Sequence, residues 1–159
     1  MKPAQAAALR SLLESQPIAA LATLHRGKPA VSMVPVALLP NGEGFVVHVS
    51  RLATHTADML ADPDVALLVV ASPTASASPR ELSRVSIQGS ARQLAADSPE
   101  YREARERYLA RFPDSAAIFG FADFSLFAIT VRSARFVGGF ADAASITGAQ
   151  LRALLSSTR

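Results

Sequence analysis

Phe45-Val46-Val47-His48-Val49 is a β-branched and aromatic run that passes directly into the polar and basic cluster Ser50-Arg51-Leu52-Ala53-Thr54-His55-Thr56. Beyond it, Leu52, Met59 and Leu60 fall at helical spacing, and the pattern stops at Asp62-Pro63. A strand therefore becomes a helix inside the cluster. The first turn of a helix leaves backbone N–H groups unpaired at the positive end of its dipole, so hydroxyls, an imidazole and a guanidinium gathered there make an anion site. A plain N-cap by Ser50 or Thr54 accounts for the same residues equally well.

Outward from this junction the chain reads as strands with helices between them. Residues 6–13 form a short amphipathic helix that ends near Pro17. Strands at 18–24 and 30–39 flank the turn His25-Arg26-Gly27-Lys28, and Pro40-Asn41-Gly42-Glu43-Gly44 turns the chain into a strand at 45–50. A helix over 52–61 is followed by a nearly continuous apolar strand, 65–72. Its Ala66, Leu68 and Val70 on one side, and Leu67 and Val69 on the other, are both expected to be buried. Residues 73–79 have loop composition, and an alternating strand at 82–94 carries Gly89 as a bulge signal. Ser98-Pro99 opens a helix that Pro113 ends, a long strand runs over 124–137 to Gly138-Gly139, and a helix at 150–155 follows. The expectation is a single α+β domain over 1–159. It has six mostly antiparallel strands in a small closed or split barrel, which disposes of sheet edges, with peripheral helices.

Composition narrows the chemistry. Of 159 residues, half are hydrophobic and 18% charged, with net charge +3, so the basic balance does not by itself imply nucleic acid. The absence of cysteine excludes disulfides, thiolate catalysis and cysteine-ligated metals and is consistent with a cytoplasmic location. Gln5, Arg10 and Glu14 break the N-terminal apolar residues, so neither a signal peptide nor a membrane span is expected.

His25, His48 and His55 have no metal-ligand spacing. Ser50, His55 and Asp58 resemble a hydrolase triad in type, but no nucleophile elbow presents the serine. No dinucleotide or Walker fingerprint occurs. Arg102, Arg105, Arg107 and Arg111 alternate with Glu100, Glu103 and Glu106, which describes a solvated helix face more than a nucleic-acid surface.

The order of short motifs resembles a family. Ala20-Leu21-Ala22-Thr23-Leu24, Gly27-Lys28-Pro29, Ser50 to Thr56, Ala61-Asp62-Pro63, Arg84-Val85-Ser86-Ile87-Gln88-Gly89 and Val137-Gly138-Gly139-Phe140 look like the FMN-binding split barrels related to pyridoxamine-phosphate oxidase. Within them the HugZ-like haem-utilisation branch is most similar. The resemblance implies a homodimer with a flavin in each of two interface clefts. It implies flavin phosphate at Ser50, Arg51, His55 and Thr56 with Leu52 among the cofactor-binding residues, the ring along Ser32, Met33 and Val34, contacts from Ser86 and Gln88, and Arg84 as a second phosphate ligand. It does not extend to the C-terminal Arg-x-x-Arg-Leu motif of the oxidases, or to an iron-ligating histidine after His55. The leading expectation is an FMN-dependent oxidoreductase with no catalytic side chain nominated. A non-enzymatic haem or tetrapyrrole binder and a deazaflavin (F420) reductase on the same fold are the alternatives.

Overall fold

The computed structural model describes residues 1–74 and 78–156; part of the expected 73–79 loop, residues 75–77, lies outside the described residues. Its frame is one antiparallel sheet. The strands are β1 (Ile18–His25), β2 (Lys28–Pro35), β3 (Ala37–Leu38), β4 (Phe45–Ser50), β5 (Asp64–Val70), β6 (Arg84–Gln93), β7 (Phe124–Gly139) and β8 (Asp142–Thr147). Their order is β2-β1-β5-β6-β7-β4-β3, with β8 paired to the far part of β7. The sheet curls until β2 lies against β4, giving the split barrel expected from the sequence. Among the described residues four α-helices surround it: α1 (Pro3–Ser15), α2 (Thr54–Ala61), α3 (Pro99–Arg111) and α4 (Gly148–Ser156).

Among the described residues eight strands stand where six were expected. The single strand read over 30–39 breaks after Pro35, because the chain changes partner there: β2 pairs β1, Val36 N–H donates to the Pro17 carbonyl (3.0 Å), and β3 pairs β4. The missed β8 is built mostly of small and polar residues, and only Ile146 buries its side chain. Other local signals match. Arg26 and Gly27 make the tight β1–β2 turn with φ of 53° and 76°. The register slips between Gln88 and Gly89. Ser98 caps α3 by accepting the Tyr101 N–H (3.1 Å).

The strand covered on both faces is β4 and not, as expected, β5. Phe45, Val47 and Val49 enter the barrel core with Leu21, Leu67, Ile87, Phe127 and Phe136, joined by Leu9, Leu12 and Leu13 of α1 and Leu151 of α4. Val46 belongs to a second core under α3, with Leu126, Ala104 and Tyr108. In β5 only Val65, Leu67 and Val69 are buried; Leu68 and Val70 remain 39% and 37% exposed because no helix among the described residues crosses the outer face there.

The middle of β7 admits neighbouring backbone so closely that side chains are excluded. A Cβ on Gly44 (φ +139°) would sit 2.1 Å from the Ile129 carbonyl oxygen, and one on Gly148 2.0 Å from that of Val131. Both glycines stand where β7 hands its edge from β4 to β8.

His48, also on β4, faces α3. Its ring stacks on Phe119 (centroids 3.9 Å apart) and meets Tyr108 and Phe124, and this burial pushes the imidazole down to about 4. In the unfolded chain it takes up a proton near 6.5, so between those values the unfolded state binds more protons and stability rises with pH. The melting temperature is expected to be flat above about pH 6.5 and to fall towards pH 4. His48→Phe should remove that part of the slope in circular-dichroism melts.

Candidate functional site

The β1–β2 hairpin and α2 enclose a polar network at one end of the barrel. Thr23 and His25 occupy alternate positions of β1 and so share a face. Both reach Asp58 of α2: Thr23 Oγ1 donates to Oδ2 (2.8 Å) and His25 Nδ1 lies 2.7 Å from Oδ1. Asp58 is buried. Burial alone would raise its carboxyl, but hydrogen bonds from His25 and Thr23 and the charges of His25 and His55 outweigh it and hold the group below the ordinary carboxylate value. One helical turn earlier, His55 Nδ1 meets Ser32 Oγ at 3.0 Å. Burial lowers the His55 imidazole, and the Asp58 charge opposes this only in part.

The strand-to-helix cluster is knitted together by its own hydroxyls. Ser50 Oγ donates to Asp123 Oδ2 (2.6 Å) and accepts the Leu52 N–H (3.1 Å), while Arg51 N–H donates to the Asp123 carbonyl (2.7 Å). Thr56 is buried and donates to the Ser50 carbonyl (2.6 Å). Helix α2 begins at Thr54 after Ala53, with no side-chain cap, so neither Ser50 nor Thr54 plays that part. The donors left for a ligand are the exposed Arg51 guanidinium, the second nitrogen of His55 and the first amides of α2. Leu52 is 89% exposed.

Strand alternation divides the remaining expected residues. Ser32 and Val34 turn inward, whereas Met33 turns outward and is 62% exposed. The pairing registers carry Met33 across the sheet in one transverse row, Met33–Ala20–Leu68–Ser86–Arg135–Ser145, and the next row is Val31–Ala22–Ala66–Gln88–Ser133–Thr147. At about 4.8 Å between strands each row spans roughly 24 Å. One half of this outer face is apolar and the other carries hydroxyls, an amide and arginine. Over the polar half lies an open groove of about 540 Å³, lined by Ser86, Gln88, Ser133, Arg135, Ser145 and Thr147. Met33, Ser86 and Gln88 thus share a surface that Ser32 and Val34 do not reach within one chain.

Arg84 donates to the carbonyls of Arg80 (3.5 Å) and Leu82 (3.1 Å). It pairs with Val137, while Ser50 pairs with Phe124 at the opposite end of β7, about 40 Å of strand away. The two cannot hold one phosphate within a single chain. Sequence reading missed Asp123 and the Thr23–Asp58–His25 network, whose members are far apart in the chain; only the i, i+3 spacing of His55 and Asp58 was a local signal. No group of three or more side chains suited to a metal occurs among the described residues, and no helix there is long and apolar enough to cross a membrane.

Fold and motif order define a split barrel of the pyridoxamine 5'-phosphate oxidase class. The chain belongs to the pyridoxamine 5'-phosphate oxidase family, whose model matches residues 6–138. It is 33% identical over 119 residues to the non-canonical heme oxygenase HOZ of Arabidopsis thaliana chloroplasts, covering 75% of this chain and 35% of that protein. The structure of a heme binding protein from Mycobacterium smegmatis superposes with a TM-score of 0.85 at 30% identity, over 96% of this chain and 62% of that one. HutZ, the heme storage protein of Vibrio cholerae, shares the fold with a TM-score of 0.70 at 22% identity, over 77% and 87% of the two chains. The chain thus spans about a third of the chloroplast relative and three-fifths of the mycobacterial one.

The bonding pattern separates structural from ligand-facing groups. Ser50→Ala should cost about 1–3 kcal/mol by leaving Asp123 and the Leu52 amide without their partner. Arg51→Ala should stay within about 0.5 kcal/mol of the parent. Urea denaturation of both variants reads the difference.

Proposed function

We propose that this chain is a haem-binding module of a haem-utilisation protein and pairs with a second copy through its outer sheet face. The observation that carries the reading is that face itself. Val31 is 72% and Met33 62% exposed, Leu68 and Val70 are more than a third exposed, and the polar half with Arg135 adjoins them. Contiguous exposed apolar area of this kind marks an interaction surface. A haem is a flat apolar ring with two carboxylates, so it needs both the apolar rows and the neighbouring cations. Arg84, Arg132 and Arg135 would neutralise the propionates, while Val31, Met33 and Leu68 would exclude water from the ring. Bound haem would supply iron for redox or oxygen chemistry, and the protein would set its ligand, burial and hydrogen bonds.

A second reading, an FMN-dependent oxidoreductase, is favoured by the free Arg51 guanidinium beside the uncapped start of α2. The flavin would supply the electron chemistry. Ser50 and Thr56 fit a phosphate less well, since both hydroxyl protons are already donated. F420, a larger deazaflavin with the same phosphate requirement, is tested alongside.

Titrating the apo-protein with haemin, FMN and F420 separates these readings. The expected result is a saturable Soret shift with haemin at an affinity at least about tenfold above either flavin, a difference of about 1.4 kcal/mol. Flavin fluorescence quenching at the tighter affinity would reverse the order. In that case Arg51→Ala should weaken FMN by about 1.5–3 kcal/mol through loss of a charge-assisted bond.

The dimer is tested separately. Sedimentation should give twice the mass of the 16.7 kDa chain, and Val31→Glu with Leu68→Glu should give a folded monomer. A parent protein that sediments as a monomer contradicts the pairing.

A further inference from the structure

We propose that Met33 is the ligand this chain offers to haem iron, an assignment that rests on the haem reading. All three histidines lie off the outer sheet face that this reading uses. His25 turns inward with Thr23 and is held by Asp58, His55 meets the inward Ser32, and His48 lies under α3 among Phe119, Tyr108 and Phe124. On the outer face itself, Asp64 is engaged by Arg132 at 2.8 Å, and the hydroxyls and amide of the groove are neutral oxygen donors, which suit hard cations. Among the described residues of that face this leaves the thioether of Met33, whose side chain is 62% exposed. The other methionines stand elsewhere: Met59 is buried in the barrel core and Met1 lies beside β8.

The surroundings of Met33 fit a haem lying along the sheet. Side chains stand roughly perpendicular to a sheet, so an outward Met33 presents its sulfur away from the backbone. Directly across from it is Ala20, whose single methyl leaves the thioether uncrowded, and Val31 and Pro35 flank it on the same face of β2. Ile18, Leu68 and Val70 extend this floor over β1 and β5, each more than a third exposed. Every one of these neighbours is apolar, so a ring settles there without stripping a polar group of its water. Cations border the floor on the far side: Arg84 pairs with Val70, and Arg135 stands two strands beyond Leu68. A soft donor, an apolar floor and cations for propionates thus occur together on one face. A thioether is neutral and soft, and methionine ligation raises the potential of haem iron, so the ferrous state is the one it favours.

Titrating the whole chain with ferric and ferrous haem, read by absorbance, magnetic circular dichroism and resonance Raman, with the potential of the complex measured alongside, tests the assignment. The parent should show a thioether signature and no iron–histidine stretch. Met33→Leu keeps an apolar side chain of similar size at an exposed position, so the chain should stay folded. It should lose the thioether signature and weaken ferrous haem at least about tenfold, with a smaller loss for ferric haem. The potential should then fall by about 59 mV for each tenfold by which the ferrous loss exceeds the ferric one. Met33→His should put an iron–histidine stretch where the thioether signature was. An iron–histidine stretch in the parent, or a Met33→Leu variant that matches the parent in ferrous affinity, potential and spectra, overturns the assignment while the haem reading stands. If the parent binds haem in neither state, both fall.

Discussion

The structure depends on the backbone of β7. Its sixteen residues must place N–H and C=O groups along two edges, and three strands share the task. One edge is taken by β6; the other goes first to β4 and then to β8. An unpaired buried amide costs about as much as a lost hydrogen bond, so each strand is held to its own segment of β7. The exchange point at residues 129–131 is where Gly44 and Gly148 press against β7 carbonyls, and side chains there would push the neighbouring chain off the strand. Curl, barrel closure and the position of every other element follow from this shared strand.

A consequence is that the two sides of the sheet meet different surroundings. Near β4, α3 covers the outer side and builds a second core, with Arg111 of α3 donating to the carbonyls of Glu14 and Gln16 at the end of α1. Across β2, β1 and β5 none of the described residues covers it, and the apolar residues there stay exposed within one chain. The pairing registers continue that surface without interruption into the hydroxyl and arginine rows of β6, β7 and β8. A face of mixed character and this breadth suits a planar amphiphile or a second subunit better than it suits open solvent.

The polar groups inside the barrel end behave differently from those at its surface. Thr23, Asp58, Ser50, Thr56 and Asp123 use their hydrogen bonds on one another and on backbone, fixing α2 against the hairpin and against the start of β7. What they leave unspent is few and specific: one nitrogen of His25, one of His55, and the Arg51 guanidinium. The anion site suggested by the cluster is therefore narrower than its composition. Most of its hydroxyls serve the fold, and the charge that remains is single.

Periodicity and turn chemistry alone were enough to place the main strands along the chain, the Arg26-Gly27 turn, the bulge at Gly89, the cap at Ser98 and the strand-to-helix junction at Ser50, since each depends on residues adjacent in the chain. The motif order was sufficient to point to the family. The sequence did not disclose that Ser32 and Val34 turn away from Met33, that β5 is bare on one side, or that Arg84 lies far from Ser50. Nor did it disclose that Asp123 takes the Ser50 hydroxyl, or that Asp58 orients His25. Each of these is decided by which strand lies beside which and by what covers a face. Those are relations between residues distant in sequence, and only the closed sheet sets them.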